Sequence, residues 1–203
     1  MTAENVTAAG PSTARGRATR ERILRAAEVC FARKGFSGTS VAEIARASGA
    51  SHGSFYVYFT SKHAIFAELI RNLATDIRMV TRVAMKNAPS RLDAEIAGTK
   101  AFFLWLRDHR DLHRILHLID EVDKSLSIEF YSSIADGYAD GLRWAMADGE
   151  VQDVDAELLA YALMGMNQFV SMRWYLWRGD EMTDELFEDF TRIIAGALRG
   201  AVA

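Results

Sequence analysis

The stretch SVAEIARASGASHGSFYVYFTSK, residues 40–62, decides how the N-terminal part of the chain folds. It opens with a serine that has Glu43 three residues later, which is the spacing of a helix capping box. Gly49 then supplies the small residue that lets one helix stop and the next cross it closely. Phe55 and Phe59 are four residues apart, so they share one face of the following helix. The stretch therefore predicts two short helices joined by a tight turn, the helix-turn-helix arrangement.

Helical signals continue on both sides of this stretch. Upstream, apolar residues recur at helical spacing from Thr19 to Lys34, and a glycine follows as a stop signal. Downstream, a long helix begins near Ser61 and carries an apolar stripe to about Lys86. Residues 1–18 are rich in alanine, threonine, glycine and serine, so we expect them to be a flexible arm.

The rest of the chain has the same helical character. Capping residues and apolar stripes predict five further helices after the long one, and no segment alternates apolar and polar residues as a strand does. The predicted fold class is therefore all-α, with about nine helices. The expected organisation is an arm over 1–18, a helix-turn-helix domain over 19–62, a connecting helix over 61–86 and a second helical domain over 87–203.

Charge is distributed unevenly along the chain. The formal net charge is −3, but residues 1–62 hold nine Lys and Arg against four Asp and Glu, a balance of +5. The remaining residues hold fifteen against twenty-three, a balance of −8. This pattern favours a protein in which only the N-terminal domain meets a polyanion such as nucleic acid.

Cysteine usage and hydropathy exclude several other classes of protein. The single cysteine, Cys30, rules out an intramolecular disulfide framework. No apolar run is long enough to cross a membrane, and the N-terminus lacks the pattern of a signal peptide. We therefore expect a cytoplasmic protein that uses no membrane and no cofactor.

The segment from Thr19 to Lys62 resembles the DNA-binding domain of the tetracycline-repressor (TetR) family. The run GASHGSFYVYF, which ends at Phe59 and is followed by Ser61 and Lys62, carries most of the likeness. The resemblance implies a homodimeric transcriptional regulator rather than an enzyme. Such a protein grips double-stranded operator DNA with these helices and senses a small molecule with its second domain.

The resemblance also implies which residues meet DNA. The start of the second helix would touch a phosphate. The third helix, which starts at Ser51 and is the recognition helix, would enter the major groove with its first residues. Two tyrosines and a lysine would bind further phosphates. The expected DNA contacts are Thr39, Ser40, Ser51, His52, Gly53, Ser54, Tyr56, Val57, Tyr58 and Lys62. Phe55 and Phe59 would instead belong to the core.

Three positions depart from the family pattern. Ala42 stands where many members have an arginine, His52 where lysine is frequent, and Val57 where a histidine or a larger side chain is common. Few side chains at these positions can therefore recognise bases through direct hydrogen bonds. We expect contact between Val57 and thymine methyl groups, together with DNA shape, to carry more of the specificity.

The last two helices are expected to form the dimer interface, because in the TetR family they usually pack with those of a partner. The first of the two is apolar nearly all round, so it needs cover on both sides. The residues predicted to face the partner are Leu159, Leu163, Met166, Val170, Leu186, Phe190, Ile193, Ile194 and Ala197.

Aromatic and methionine-rich surface in the second domain predicts a pocket for a small hydrophobic effector, in which Asn167 and Arg173 would orient the ligand. The predicted pocket residues are Phe102, Phe103, Trp105, Leu106, Phe130, Tyr131, Tyr138, Trp144, Met164, Asn167, Phe169, Arg173 and Trp174. Acyl thioesters, lipids, steroids and aromatic drugs all fit. We expect the protein to be a repressor that the effector releases from DNA. The alternative is an activator, or a DNA-binding protein that has no effector.

Two further patterns point to other chemistry. His109, His113 and His117 recur every four residues, which is metal-ligand spacing, but no fourth ligand is identifiable and no metal is expected. Residues 49–53 match G-x-S-x-G, the nucleophile elbow of serine hydrolases, which requires a strand before the serine. Because a helix is predicted there, hydrolysis is a remote alternative.

Overall fold

This computed structural model describes residues 13–179 and 182–200, and the regular structure of those residues is entirely helical. The helices are α1 (Ala14–Lys34), α2 (Val41–Ser48), α3 (His52–Tyr58), α4 (Lys62–Met85), α5 (Arg91–Asp108), α6 (Arg110–Leu116), α7 (Ile119–Val122), α8 (Lys124–Ala147), α9 (Ala156–Ser171) and α10 (Asp184–Arg199). A π-helical segment, Met172–Arg178, follows α9 directly. The all-α prediction is confirmed, with ten α-helices in the described part of the chain rather than about nine.

The first helix begins at Ala14 rather than at the predicted Thr19. Thr13 caps it, because its side-chain oxygen accepts a hydrogen bond from the backbone N–H of Gly16 at 3.1 Å. Residues 14–18 are therefore helical, and the expectation of a flexible arm is wrong for them. The remainder of that arm, residues 1–12, lies outside the described residues.

The chain divides into two compact units. The first unit contains the described residues up to Asn72 together with Arg114–Leu126, and the second contains Leu73–His113 and the residues from Ser127 onward. Two long helices, α4 and α8, therefore each contribute to both units. The predicted division into 19–62 and 87–203 did not include this return of the chain to the first unit, since hydrophobic periodicity locates helices but not their long-range contacts.

Aromatic rings form the centre of the first unit. Phe31 of α1 meets Phe66 of α4 edge to face, with ring centroids 5.3 Å apart. Phe36, in the turn after α1, lies 5.7 Å from Phe31 and 5.2 Å from Phe66. Ile44 of α2 is fully buried as well. Burial of these large side chains gives α2 and α3 a rigid support.

The core of the second unit is built from α5, α8, α9, the π-helical segment and α10. Phe103 of α5 lies 5.7 Å from the ring of Tyr175 and 5.8 Å from that of Phe190. Leu142 of α8 and Leu163 of α9 are fully buried in the same cluster. Within the described ranges, no helix is both long and apolar enough to cross a bilayer.

Candidate DNA-binding surface

The start of α2 is fixed by the predicted capping box. The Ser40 hydroxyl accepts a hydrogen bond from the backbone N–H of Glu43 at 3.2 Å, and the Glu43 carboxylate accepts one from the backbone N–H of Ser40 at 3.0 Å. Glu43 also pairs with the ammonium group of Lys34 at the end of α1. The Lys34 hydrogen bond, followed by those from Ser40, lowers the pKa of Glu43 to about 2. The carboxylate is therefore ionised throughout the ordinary pH range.

The turn between α2 and α3 depends on one glycine and one serine. Gly49 lies in the left-handed region at φ +69°, which a residue without Cβ adopts at low cost. Ser51 then caps α3, because its side-chain oxygen accepts from the backbone N–H of Ser54 at 3.0 Å. Since α2, a helix, precedes Ser51, the G-x-S-x-G run lacks the strand that a nucleophile elbow needs.

The recognition helix α3 has two different sides, as predicted. Phe55 and Phe59 are buried, and their ring centroids are 5.7 Å apart. Tyr56 and Val57 are exposed on the other side, with 49% and 68% of their surface accessible. The His52 ring, also exposed, lies 5.2 Å from that of Tyr56. The exposed surface is thus aromatic and aliphatic, and α3 contains no Asp, Glu, Lys or Arg.

The other expected DNA contacts at α3 are at least partly accessible to solvent. Ser51 and Gly53 are exposed, and Ser54 and Tyr58 are half-buried. The hydroxyls of Ser51 and Ser54 lie 2.8 Å apart, so each orients the other. Apart from its sequence neighbours and the backbone of α3, nothing lies within 4 Å of a Cβ built on Gly53, which leaves room for a close approach by a ligand.

The structure places Thr39 inside the fold rather than on the surface. Its side chain is only 2% exposed, and its hydroxyl lies 2.8 Å from the carbonyl oxygen of Gly35 and 3.1 Å from that of Cys30. Its backbone N–H is also used, in a hydrogen bond to Phe36. The phosphate contact expected of Thr39 is therefore wrong, because its donors already stabilise the turn between α1 and α2.

Lys62 also has an internal role. Its ammonium group donates hydrogen bonds to the carbonyl oxygens of Phe36 and Thr39, at 2.7 and 2.8 Å. The same nitrogen lies 4.3 Å above the centre of the Phe36 ring. The phosphate pairing that the resemblance implied for Lys62 is thus replaced by a clamp on the α1–α2 turn.

Sequence reasoning missed one basic residue near this surface. Arg46 lies in the last turn of α2 and is exposed. Arg15 and Arg17, expected in a flexible arm, instead lie exposed in the first turns of α1. The sequence signal was the excess of Lys and Arg in residues 1–62, which gave the charge of the domain but not its distribution over the surface.

The predicted effector pocket is only partly brought together. Phe103, Leu106 and Phe130 are buried, while Trp144 and Phe169 are 74% and 67% exposed. These last two assignments are therefore wrong, because an exposed ring cannot line the interior of a core. The residues of the predicted set that are half-buried are Phe102, Trp105, Tyr131, Tyr138, Met164, Asn167, Arg173 and Trp174.

Several of these half-buried side chains already have partners. The Trp105 ring stacks on His109 at 4.2 Å, and Arg173 lies 5.4 Å from the centre of the Trp174 ring. Asn167 donates to the carbonyl oxygen of Leu163 at 3.0 Å. Its other side-chain atom, the amide oxygen, is buried without a hydrogen-bond partner among the described residues. Asn167 remains the best placed polar group of the predicted pocket.

A buried polar cluster in the second unit was not predicted. Tyr138 of α8 donates a hydrogen bond to Glu95 of α5, and Glu95 also pairs with Arg91. Burial raises the pKa of Glu95, although Arg91 and Tyr138 oppose that shift. Burial, and then the nearby Glu95 carboxylate, raises the pKa of Tyr138. The cluster links the start of α5 to α8, two elements far apart in sequence.

Most residues of the predicted dimer interface lie on the core side of α9 and α10. Leu159, Leu163, Phe190 and Ile194 are buried in the second unit's own core. Met166, Val170 and Ala197 are half-buried and pack against that core. Of the predicted residues, only Leu186 and Ile193 are exposed apolar side chains. Because α9 is apolar nearly all round, its sequence could not show which side meets the core.

The three histidines do not share one helical face. His109 follows the end of α5, and His113 is buried, with its Nε2 atom 3.4 Å from the hydroxyl of Ser171 in the second unit. His117 belongs to the first unit, where burial lowers its pKa. In the described ranges, no group of three His, Cys, Asp or Glu side chains is arranged to hold a metal ion.

Comparison with known proteins identifies the helix-turn-helix. The model of bacterial regulatory proteins of the tetR family matches residues 23–69, which run from within α1 into α4. The chain is 28% identical over 166 residues to the HTH-type transcriptional regulator YdgC of Bacillus subtilis, covering 80% of this chain and 84% of YdgC. Residues 23–69 are therefore a helix-turn-helix segment of the tetR type. The chain is a DNA-binding transcriptional regulator.

Two other transcriptional regulators resemble the chain along most of its length. The HTH-type transcriptional repressor KstR2 of Rhodococcus jostii is 25% identical over 185 residues, covering 88% of this chain and 90% of KstR2. The crystal structure of FadR from Bacillus subtilis in complex with stearoyl-CoA superposes with a TM-score of 0.78 at 17% identity, covering 88% of this chain and 99% of FadR. This second likeness shows that the chain shares the fold of FadR along most of its length.

Proposed function

We propose that the chain is a homodimeric repressor that binds operator DNA through α3 and releases it when a small hydrophobic molecule binds the second unit. The observation that carries the proposal is the two-sided character of α3. Its phenylalanines are buried, and its opposite side presents small, aromatic and aliphatic groups to the solvent. A recognition helix needs both sides, because one anchors it and the other contacts base edges.

The proposed contacts follow from exposure. Thr39 leaves the predicted set because it is buried, and Lys62 leaves it because two backbone carbonyls hold its ammonium group. Arg46 enters the set as an exposed cation on α2. The proposed DNA contacts are Ser40, Arg46, Ser51, His52, Gly53, Ser54, Tyr56, Val57 and Tyr58. In this set Val57 is the apolar group best exposed for contact with a thymine methyl.

Exposed apolar side chains on α9 and α10 support a homodimer. On α9 they recur at helical spacing, and two glycines on α9 and α10 have open space where a Cβ would be. The proposed interface residues are Leu158, Tyr161, Ala162, Gly165 and Phe169 of α9, with Leu186, Ile193 and Gly196 of α10. An exposed patch of this kind marks an interface, since soluble monomers rarely leave one uncovered. Dimerisation would present two recognition helices to half-sites about 34–36 Å apart.

Partly buried apolar side chains beside the second unit's core support a hydrophobic effector. Phe102, Tyr138, Met166 and Trp174 pack against that core without being fully buried. FadR with bound stearoyl-CoA and the repressor KstR2 are similar to this chain, which favours an acyl thioester or another lipid-like molecule and a repressor role. Such coupling between ligand and DNA sites is typically worth about 1–3 kcal/mol.

Operator binding is tested with DNA selected by the chain from a random pool and measured by fluorescence anisotropy. We expect Val57→Ala to weaken binding to the selected site by about 1 kcal/mol, or about fivefold, and to relax its preference at one base pair. Val83→Ala is the matched control, because Val83 of α4 is 70% exposed and lies outside the proposed contacts. The proposal is rejected if no sequence is enriched over random DNA.

Effector binding is tested separately with stearoyl-CoA, free fatty acids and aromatic compounds. We expect one class to raise the melting temperature and to lower the affinity for the selected DNA. A ligand that raises the melting temperature but strengthens DNA binding would indicate the opposite sign of regulation. If no compound alters either quantity, the effector-independent regulator becomes the better description.

A further inference from the structure

A polar contact in the first unit joins the start of α4 to the start of α8. The Nε2 atom of His63 lies 2.8 Å from the Oδ2 atom of Asp123. His63 is the second residue of α4, and Asp123 immediately precedes α8. The two residues are 60 positions apart in sequence, so the contact depends on the tertiary fold.

Asp123 contacts both the first turn of α8 and the side chain of His63. Its Oδ1 atom accepts hydrogen bonds from the backbone N–H groups of Ser125 at 2.9 Å and Leu126 at 3.1 Å, which caps the first turn of α8. Its other oxygen faces His63. The hydrogen bond from Leu126, together with those from His63 and Ser125, lowers the pKa of Asp123. The carboxylate is therefore a charged acceptor that α8 holds in place.

His63 lies beside the group that shapes the α1–α2 turn. The rings of His63 and Phe36 meet edge to face, with centroids 6.5 Å apart and planes at 85°. Lys62, its neighbour in α4, donates to the carbonyl oxygens of Phe36 and Thr39. Ser40, the cap of α2, follows directly. A continuous set of contacts thus runs from Asp123 to the start of the helix that precedes the recognition helix.

We propose that Asp123 and His63 are positioning residues for DNA binding. Their contact holds the first turn of α4, and with it the α1–α2 turn, in the arrangement in which α2 and α3 meet DNA. Because α8 begins in the first unit and continues from Ser127 in the second, the contact ties operator affinity to α8. This inference rests on the proposed function.

The test separates the contact from the cap. Asp123→Ser retains an N-cap side chain but cannot reach His63, whereas His63→Ala retains the cap and loses the contact. We expect each variant to raise the Kd for the selected DNA about two- to fivefold, the range for a partly exposed pair. The double variant should show no further loss. The melting temperature should stay within about 2 °C of the wild type in all three.

Two further variants keep the test specific. His63→Gln supplies an amide donor to Asp123 and should restore most of the affinity. Asp140→Ser removes an exposed pair with Arg143 on α8, 2.5 Å apart, and should leave the Kd unchanged. A purely structural role would lower the affinity only together with the melting temperature, and the glutamine variant would then restore both quantities in parallel.

Different failures have different meanings. If the wild type binds DNA and both single variants bind it equally well, the positioning role is wrong while the proposed function stands. Additive losses in the double variant would also overturn the role, because two independent effects would then explain them. A wild-type chain that selects no DNA sequence would overturn the proposed function, and this is seen before any variant is measured.

Discussion

At Lys62 the ammonium group is shared between two backbone carbonyls and the face of Phe36. A lysine at the start of the helix after a recognition helix was expected to pair with a DNA phosphate. The structure shows instead that it holds the turn before α2, together with the buried hydroxyl of Thr39. Residue type and position indicated the right region of the molecule, but the partner of the side chain is set by contacts more than twenty residues away in sequence.

We predict that Lys62→Met lowers the free energy of unfolding by about 1–2 kcal/mol, because methionine keeps an apolar stem of similar length but loses the two charge-assisted hydrogen bonds and the ammonium group over the Phe36 ring. Urea denaturation followed by circular dichroism measures the change. Lys86→Met, at an exposed lysine just beyond α4, is the control and should be neutral. Unchanged stability together with a shallower dependence of DNA affinity on salt would restore the phosphate role of Lys62.

Among the elements, local signals predicted α2 and α3 well. The capping box, the glycine turn and the two inward phenylalanines all depend on residues within four positions of one another. The faces of α9 and α10 were predicted poorly, because Leu159 and Leu158 are equally apolar in sequence and only the fold buries one of them. The Arg91, Glu95 and Tyr138 cluster was missed for the same reason, since it joins two helices that are distant in the chain.

The cap of α2 gives a prediction about acid stability. The pKa of Glu43 is lowered to about 2, so its contribution to stability is present above its ordinary value of 4.5 and is lost as the pH falls towards 2. We expect Glu43→Gln to reduce the melting temperature at neutral pH and to flatten its fall between pH 4.5 and pH 2. Glu21→Gln, at an exposed glutamate on α1, is the control. An identical acid dependence in wild type and Glu43→Gln would contradict the assignment.

For the whole molecule, two long helices contribute to both compact units, and apolar side chains on α9 and α10 remain exposed. The described residues of one chain carry one recognition helix, so we expect tight and selective DNA binding to depend on a second copy. The proposed interface is the part of the architecture on which the proposed function depends most.

We predict that Phe169→Glu and Ile193→Glu each convert the dimer into monomer, because a charge would then be desolvated in the interface. Analytical ultracentrifugation measures the assembly, and DNA affinity should fall with it. Leu104→Glu, at an exposed leucine of α5 outside the proposed interface, should leave the dimer intact. Monomers in the wild type, or dimers in both interface variants, would place the contact elsewhere.

Because α3 contains no Asp, Glu, Lys or Arg, general attraction to DNA and selection among DNA sequences would come from different helices. Arginines on α1 and α2 would attract the phosphates of any DNA duplex over a long range, and added salt would weaken this attraction. Methyl and ring contacts from α3 are insensitive to electrolyte, so a more concentrated buffer should lower the cognate and the random affinity by the same factor, and random sites should empty while cognate sites are still occupied. Genomic footprinting in a stringent, high-ionic-strength wash should therefore reveal the true target sites of this regulator most cleanly.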